Sequence, residues 1–149
     1  SINVTKASTD NELKEYYAIL QNNLKKFGKE PTHTLNELQY LIMTFPKQIE
    51  ISLLKVDSQL IAGLTKFKLN DKVLHNFYSS MDYSISSNFR GALKFLYNYE
   101  MTNAKENGFR YYNFGVDVHY GEKPNHNLRY FKLGFGGKTT TRDSYFIKF

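Results

Sequence analysis

The sequence predicts one mixed α/β (α+β) domain, a mostly antiparallel central sheet with helices on both faces. Three observations predict it. Two Thr-x-x-Glu strings open amphipathic stretches early in the chain, strand-like alternation takes over from residue 48 to residue 80, and a long helical stripe then leads into another strand. A strand, a helix and a parallel strand in succession make a right-handed crossover, so the sheet is mixed.

Residues 2–6 form a short first strand. Thr9-Asp10-Asn11-Glu12 is a capping box, and apolar residues recur 3, 4, 7, 11 and 14 positions after Leu13, so the first helix runs to Gly28. Thr34-Leu35-Asn36-Glu37 is a second capping box, opening a shorter helix that Pro46 stops. Residues 48–56, 59–69 and 72–80 alternate as strands, joined at Asp57-Ser58 and Asn70-Asp71 by residues that tolerate positive φ. They form a meander. Ser86, Ser87 and Asn88 offer caps to a helix whose stripe is Phe89, Leu93, Leu96, Tyr97, Met101 and Ala104 and which ends at Asn107-Gly108. Residues 109–116 form an aromatic strand, 125–133 a short helix closed by Gly134, and 138–149 a final strand.

Composition narrows the chemistry. The chain has 149 residues, the size of one domain, with 12 Tyr, 12 Phe, no Trp and no Cys. Without Cys there is no disulfide, no thiolate metal site and no cysteine nucleophile, and a cytoplasmic location is expected. The spacing of Asp117, His119 and Glu122 is too sparse for a metal site, so no metal is expected. A net charge of +6 comes from lysines spread over every element, as in a solvated surface, although phosphorylated ligands would be attracted. No stretch approaches the ~20 apolar residues of a membrane span, and the segment from Ser1 to Lys6 does not read as a secretory signal. The absence of an initiator Met points to a processed chain or a fragment of a longer one. Phosphate-binding Gly-rich loops, the Gly-x-Ser-x-Gly elbow and dinucleotide fingerprints are missing, which argues against kinases, serine hydrolases and dehydrogenases.

Several side chains stand out. His75 lies in the third meander strand, where an imidazole can take a proton near neutral pH; by simple alternation Tyr78 and Ser80 lie on the strand's other face and line the same cleft. His33 precedes a helix start and can orient an anionic acceptor. Asn113 and Gly115 lie in the strand after the crossover, and a strand glycine marks a close approach of backbone or ligand. Ser87, Asn88, Arg90 and Gly91 surround the start of the long helix, where unpaired amides and the helix dipole favour an anion.

The element order and Tyr130-Phe131-Lys132-Leu133-Gly134-Phe135 resemble the GNAT acyltransferases. Pro31-Thr32-His33-Thr34, the Tyr112-Asn113-Phe114-Gly115 strand and the ending from Asn127-Leu128 through Phe131-Lys132 to Phe135-Gly136 look like their FemAB-like branch, over nearly the whole chain. That resemblance implies a GNAT-like fold with a parallel, splayed strand pair around residues 74–80 and 109–116. It implies an N-acyltransferase acting on a primary amine, with acetyl-CoA, another acyl-CoA or an aminoacyl-tRNA as donor. An amino-sugar or peptide precursor of the cell envelope is the implied acceptor. Tyr130 would be the acid that protonates the leaving group, since a phenol keeps its proton at neutral pH, and Lys132 would hold a phosphate or carboxylate. The pyrophosphate loop of the family has Gly where this chain has Arg90, and Ser87 stands at its first position, so Arg90 would pair with phosphate directly. FemAB-like proteins usually contain two GNAT-like halves, and residues 1–149 look like the second. A non-catalytic substrate-binding half and a tRNA-contacting module are the alternative readings.

Overall fold

The structure, a computed structural model, describes residues 1–85, 89–117, 123–141 and 145–148. The chain divides into two compact units, Ser1–Gly115 and Val116–Phe149. The first holds a five-stranded sheet in chain order, β1 (Ile2–Lys6), β2 (Ile49–Val56), β3 (Gln59–Asn70), β4 (Val73–Met81) and β5 (Tyr111–Asn113). All neighbours are antiparallel except β4 and β5, which are parallel. Asp57 and Ser58, at φ 47° and 70°, make the tight turn between β2 and β3 that the sequence predicts.

Helices α1 (Asp10–Lys25) and α2 (Leu35–Thr44) cover one face of the sheet, and α3 (Ala92–Glu106) covers the other. Both predicted capping boxes form: Thr9 accepts from the Glu12 amide and Thr34 from the Glu37 amide, while each glutamate reaches back to the cap's own N–H. Glu12 also receives the Lys55 ammonium at 2.7 Å, which ties the start of α1 to β2. Under α1, an edge of the Tyr16 ring abuts Gly63, where a Cβ would stand 2.5 Å from two ring carbons. The Tyr16 hydroxyl is 2.8 Å from that of Thr65. Leu13, Leu20, Leu38, Ile51 and Leu53 complete this half of the core.

The β3–β4 ladder carries an irregularity. Thr65 faces Tyr78 and Lys66 faces Asn76, so Phe77 has no partner and β4 bulges there. One extra residue reverses the alternation. His75, Tyr78 and Ser80, opposite Phe67, Thr65 and Gly63, therefore share the α1 face, which corrects the expectation that Tyr78 and Ser80 lie opposite His75.

On the α3 face, at the bulge, Lys66 pairs with Glu100 of α3 and with Glu50 of β2, the latter at 2.6 Å. Lys66 and Glu100 are buried, whereas Glu50 is half-exposed and also meets Lys6 at 3.2 Å. Burial alone would raise the Glu50 pKa; the neighbouring Lys66 charge outweighs it, and the carboxyl is held low.

Three boundaries depart from the sequence reading. Helix α3 begins at Ala92, after Gly91, and not at Phe89, because glycine is a poor helix-interior residue. Strand β5 spans Tyr111–Asn113 in place of 109–116: the Asn113 carboxamide accepts the Gly115 amide at 2.8 Å, and Gly115 turns to φ +74°, outside the strand region. Of the final strand expected over 138–149, residues 142–144 and 149 lie outside the described residues, and 138–141 and 145–148 form no strand. Tyr145, Phe146 and Ile147 are exposed. Period-two alternation needs a partner edge as well as a pattern.

The second unit contains α4 (His126–Leu133), capped by the Asn125 side chain, which accepts from the Leu128 amide at 3.0 Å. Among the described residues no helix is long and apolar enough to cross a membrane.

Two stability predictions follow from these contacts. The Lys55 contact and the Ser8 amide lower the Glu12 pKa from 4.5 to about 2, against the opposing effect of burial. A lowered carboxyl pKa stabilises the fold above the unfolded value and loses that contribution as pH falls through the folded one. Glu12→Gln is expected to cost about 1 kcal/mol at pH 7, and the gap from wild type to close between pH 4.5 and about 2; urea unfolding across that range measures it. Lys66→Met strands Glu100 as a buried, unpaired charge and is expected to cost roughly 3–5 kcal/mol. Adding Glu100→Leu should recover most of that loss in the same assay.

Candidate active site

The site is built on the third and fourth strands. Pairing between β4 and β5 runs from Val73↔Tyr111 to His75↔Asn113 and then stops. From Asn76 to Met81 the same edge of β4 has no strand partner among the described residues. His75 thus sits at the apex of the opening, half-buried, with Gly115 folded back beside it. A Cβ on Gly115 would make ordinary contacts, 3.4 Å from the His75 ring and 3.6 Å from the Asn76 carbonyl; it is the φ of +74° that favours glycine there.

Beside His75 lies an aromatic cluster. Phe77, the bulge residue, stacks on Phe67 at 4.7 Å between centroids, and the His75 ring is 6.0 Å from Phe77 edge-on. Phe77 also borders His33 at 5.5 Å and Tyr78 at 4.5 Å. His33 and Tyr78 meet directly: the Tyr78 hydroxyl accepts the His33 backbone N–H at 3.2 Å and lies 3.0 Å from its ring Nδ1. The Tyr17 hydroxyl donates to the His33 carbonyl at 2.9 Å. Three residues far apart in sequence, His33, His75 and Tyr78, are thereby gathered on one face. Ser80 is on that face too but buried close to the Tyr16 hydroxyl.

On the opposite face the tyrosines serve as core. Asn76 donates to the Tyr97 hydroxyl at 2.9 Å, and Tyr97 packs against Tyr112 and Phe114. Burial pushes the Tyr97 phenol up to about 12. Tyr112 is pushed up further, first by burial and then by Tyr97 and Glu100. Neither phenol is suited to give up a proton.

The start of α3 has no side-chain cap and no acidic residue in its first turn. Arg90 and Gly91 precede it and are exposed, and a Cβ on Gly91 would meet nothing within 4 Å. Lys94 adds a cation to the first turn. Ser87 and Asn88 lie outside the described residues, as do His119 and Glu122. Among the described residues no cluster of His, Asp and Glu could hold a metal ion. A cavity of about 490 Å³ lies at the far end of β4, beside the end of α3, but Lys66 and Lys68 in its wall are paired with Glu50, Glu100 and Asp71.

In the second unit, Tyr130 is 72% exposed on α4. Lys132 donates to the Val116 carbonyl at 2.7 Å, and burial lowers its pKa against the opposing pull of Asp117. Sequence reasoning missed the Lys66–Glu100 pair and the Phe77 bulge. A lysine inside a run of buried strand residues and a glutamate on the apolar stripe of α3 were the available signals for the first.

No family model matches the chain, and no curated protein matches it in sequence. Solved structures do match. A possible acetyltransferase from Clostridium difficile 630 superimposes with a TM-score of 0.75 at 14% identity, over 99% of this chain and 97% of that one. The aminoglycoside antibiotic 6'-N-acetyltransferase AAC(6')-IG from Acinetobacter haemolyticus gives 0.67 at 18% identity, over 98% and 97%. A ribosomal-protein-alanine N-acetyltransferase from Brucella melitensis biovar Abortus 2308 gives 0.67 at 11%, over 100% and 99%. These three give no support to the FemAB-like branch in particular. At such identities the likeness is one of architecture: the chain has the GNAT fold.

Proposed function

We propose that this chain is an N-acyltransferase that moves an acyl group from an acyl-CoA to a small primary amine. The observation that carries the reading is His75 at the point where β4 and β5 part. A base placed there can take the proton of an amine that enters beside the unpaired edge of β4. Bound coenzyme A would supply the activated acyl group as a thioester. The residues at the start of α3 suit its phosphates: among the described residues there is no side-chain cap and no carboxylate in the first turn, Arg90 and Lys94 are cations, and a Cβ on Gly91 would meet nothing within 4 Å. Backbone N–H groups on the open edge of β4 would steady negative charge on the carbonyl oxygen.

Tyr130 is the proposed acid, an exposed phenol on α4 rather than one of the buried phenols whose protons are held too tightly. Asn113 serves by turning the chain at Gly115 and so ending the pairing. The N-acetyltransferases among the structural neighbours support an amine acceptor. The FemAB-like resemblance favours an amino-sugar or peptide precursor and makes Lys132 a candidate to hold a phosphate or carboxylate. It also carries the aminoacyl-tRNA alternative.

Calorimetry with acetyl-CoA tests the donor. Saturable micromolar binding is expected, weakened roughly ten-fold or more in Arg90→Ala through loss of a charge-assisted contact. Absence of binding at millimolar ligand overturns the acyl-CoA reading, and steeply salt-dependent binding of charged tRNA would replace it with an RNA-gripping module. Once an amine is acetylated, His75→Gln is expected to lower kcat/KM by roughly 10²–10⁴ while acetyl-CoA affinity is unchanged.

A further inference from the structure

The two histidines of the aromatic cluster are held differently. The Tyr78 hydroxyl has one proton and two lone pairs, and one lone pair accepts the His33 backbone amide. Among the described residues the only acceptor within hydrogen-bond reach of its proton is His33 Nδ1, at 3.0 Å. Donation from Tyr78 to Nδ1 satisfies that proton within the protein and places the neutral ring's own proton on Nε2. The His33 backbone is held on its other side by Tyr17, and the ring borders Phe77. Of the two ring nitrogens, Nδ1 is the one that meets a hydrogen-bond partner among the described residues.

A neutral imidazole with its proton on Nε2 and its Nδ1 occupied has no lone pair left to receive an amine proton. It can only donate. We infer that His33 is a specificity-determining donor: its Nε2–H binds an oxygen, hydroxyl or carbonyl, beside the reactive amine of the acceptor, which restricts the substrates to oxygen-bearing amines. Proton removal then falls to His75. This inference rests on the acyltransferase reading for the word acceptor, but the tautomer and the amine preference do not depend on turnover. Glu37, four residues on, accepts from the Thr34 amide and hydroxyl, and its charge also acts on the His33 ring.

The full chain, labelled with ¹⁵N-histidine, tests it. Long-range ¹H–¹⁵N correlations at about pH 8 are expected to show His33 as the Nε2–H tautomer in wild type and as a mixture in Tyr78→Phe. In direct titration D-glucosamine should bind more tightly than cyclohexylamine. His33→Phe should reduce that preference about five-fold, the loss of one hydrogen bond to a neutral oxygen. His33→Gln, which keeps an N–H donor, should retain it. An Nδ1–H tautomer in wild type, equal or absent binding of the two amines, or an unchanged preference in His33→Phe overturns the proposal. Acetyl transfer is read separately: a chain that shows the tautomer and the preference but never turns over would sink the acyltransferase reading and leave the donor role standing.

Discussion

The bulge at Phe77 is the constraint on which the rest of the site depends. Two strands in regular register would keep His75 and Tyr78 on opposite faces of the sheet and carry the ladder straight through. One unpaired residue brings them to the same side, under α1, while Asn76 turns to α3. The aromatic cluster exists because of that reversal: Phe77, Phe67, His33 and Tyr78 converge from β4, β3 and the α1–α2 connection. The end of β5 pairing comes within the same few residues.

Such a bulge needs something to hold it. The buried Lys66 sits immediately next to the irregularity and is gripped from α3 by Glu100 and from β2 by Glu50. A hydrophobic trio in those positions would be as stable or more so, since removing two charges from water costs more than their attraction usually returns. What the ions add is direction. A buried ammonium must find its carboxylates, so a register slip by one residue, which would carry Lys66 to the α1 face, would leave Glu100 unpaired. On the other face Tyr16 plays a matching part, its ring against Gly63 and its hydroxyl on Thr65.

Much of this was legible in the sequence, and the pattern of what was not is instructive. The capping boxes at Thr9 and Thr34, the Asp57-Ser58 turn and the crossover through α3 are local signals, and all are present in the structure. The bulge is a relation between two strands and leaves no mark in either one alone, so alternation along β4 misplaced Tyr78 and Ser80. The start of α3 was read from the polar residues at 86–88, whereas Gly91 moves it to Ala92. Of the strand read over 138–149, the described residues 138–141 and 145–148 form none, because alternation makes a strand only beside a partner edge. Among the site residues, His33 and His75 were singled out separately; only the fold shows that they border the same phenylalanine ring.

Twelve tyrosines make proton chemistry ambiguous from sequence alone, and burial removes much of the ambiguity. A phenol enclosed by apolar groups loses its ability to ionise, so Tyr16, Tyr97 and Tyr112, all pushed up by burial, are structural however close to the opening they lie. Tyr78 is committed to His33. The same logic separates the histidines: a ring whose second nitrogen is spoken for is a donor, and one at the apex of an opening is placed to be a base. Under the proposed acyltransferase reading, acid, base and recognition roles divide by where each ring stands and what it meets, with the GNAT fold supplying the geometry.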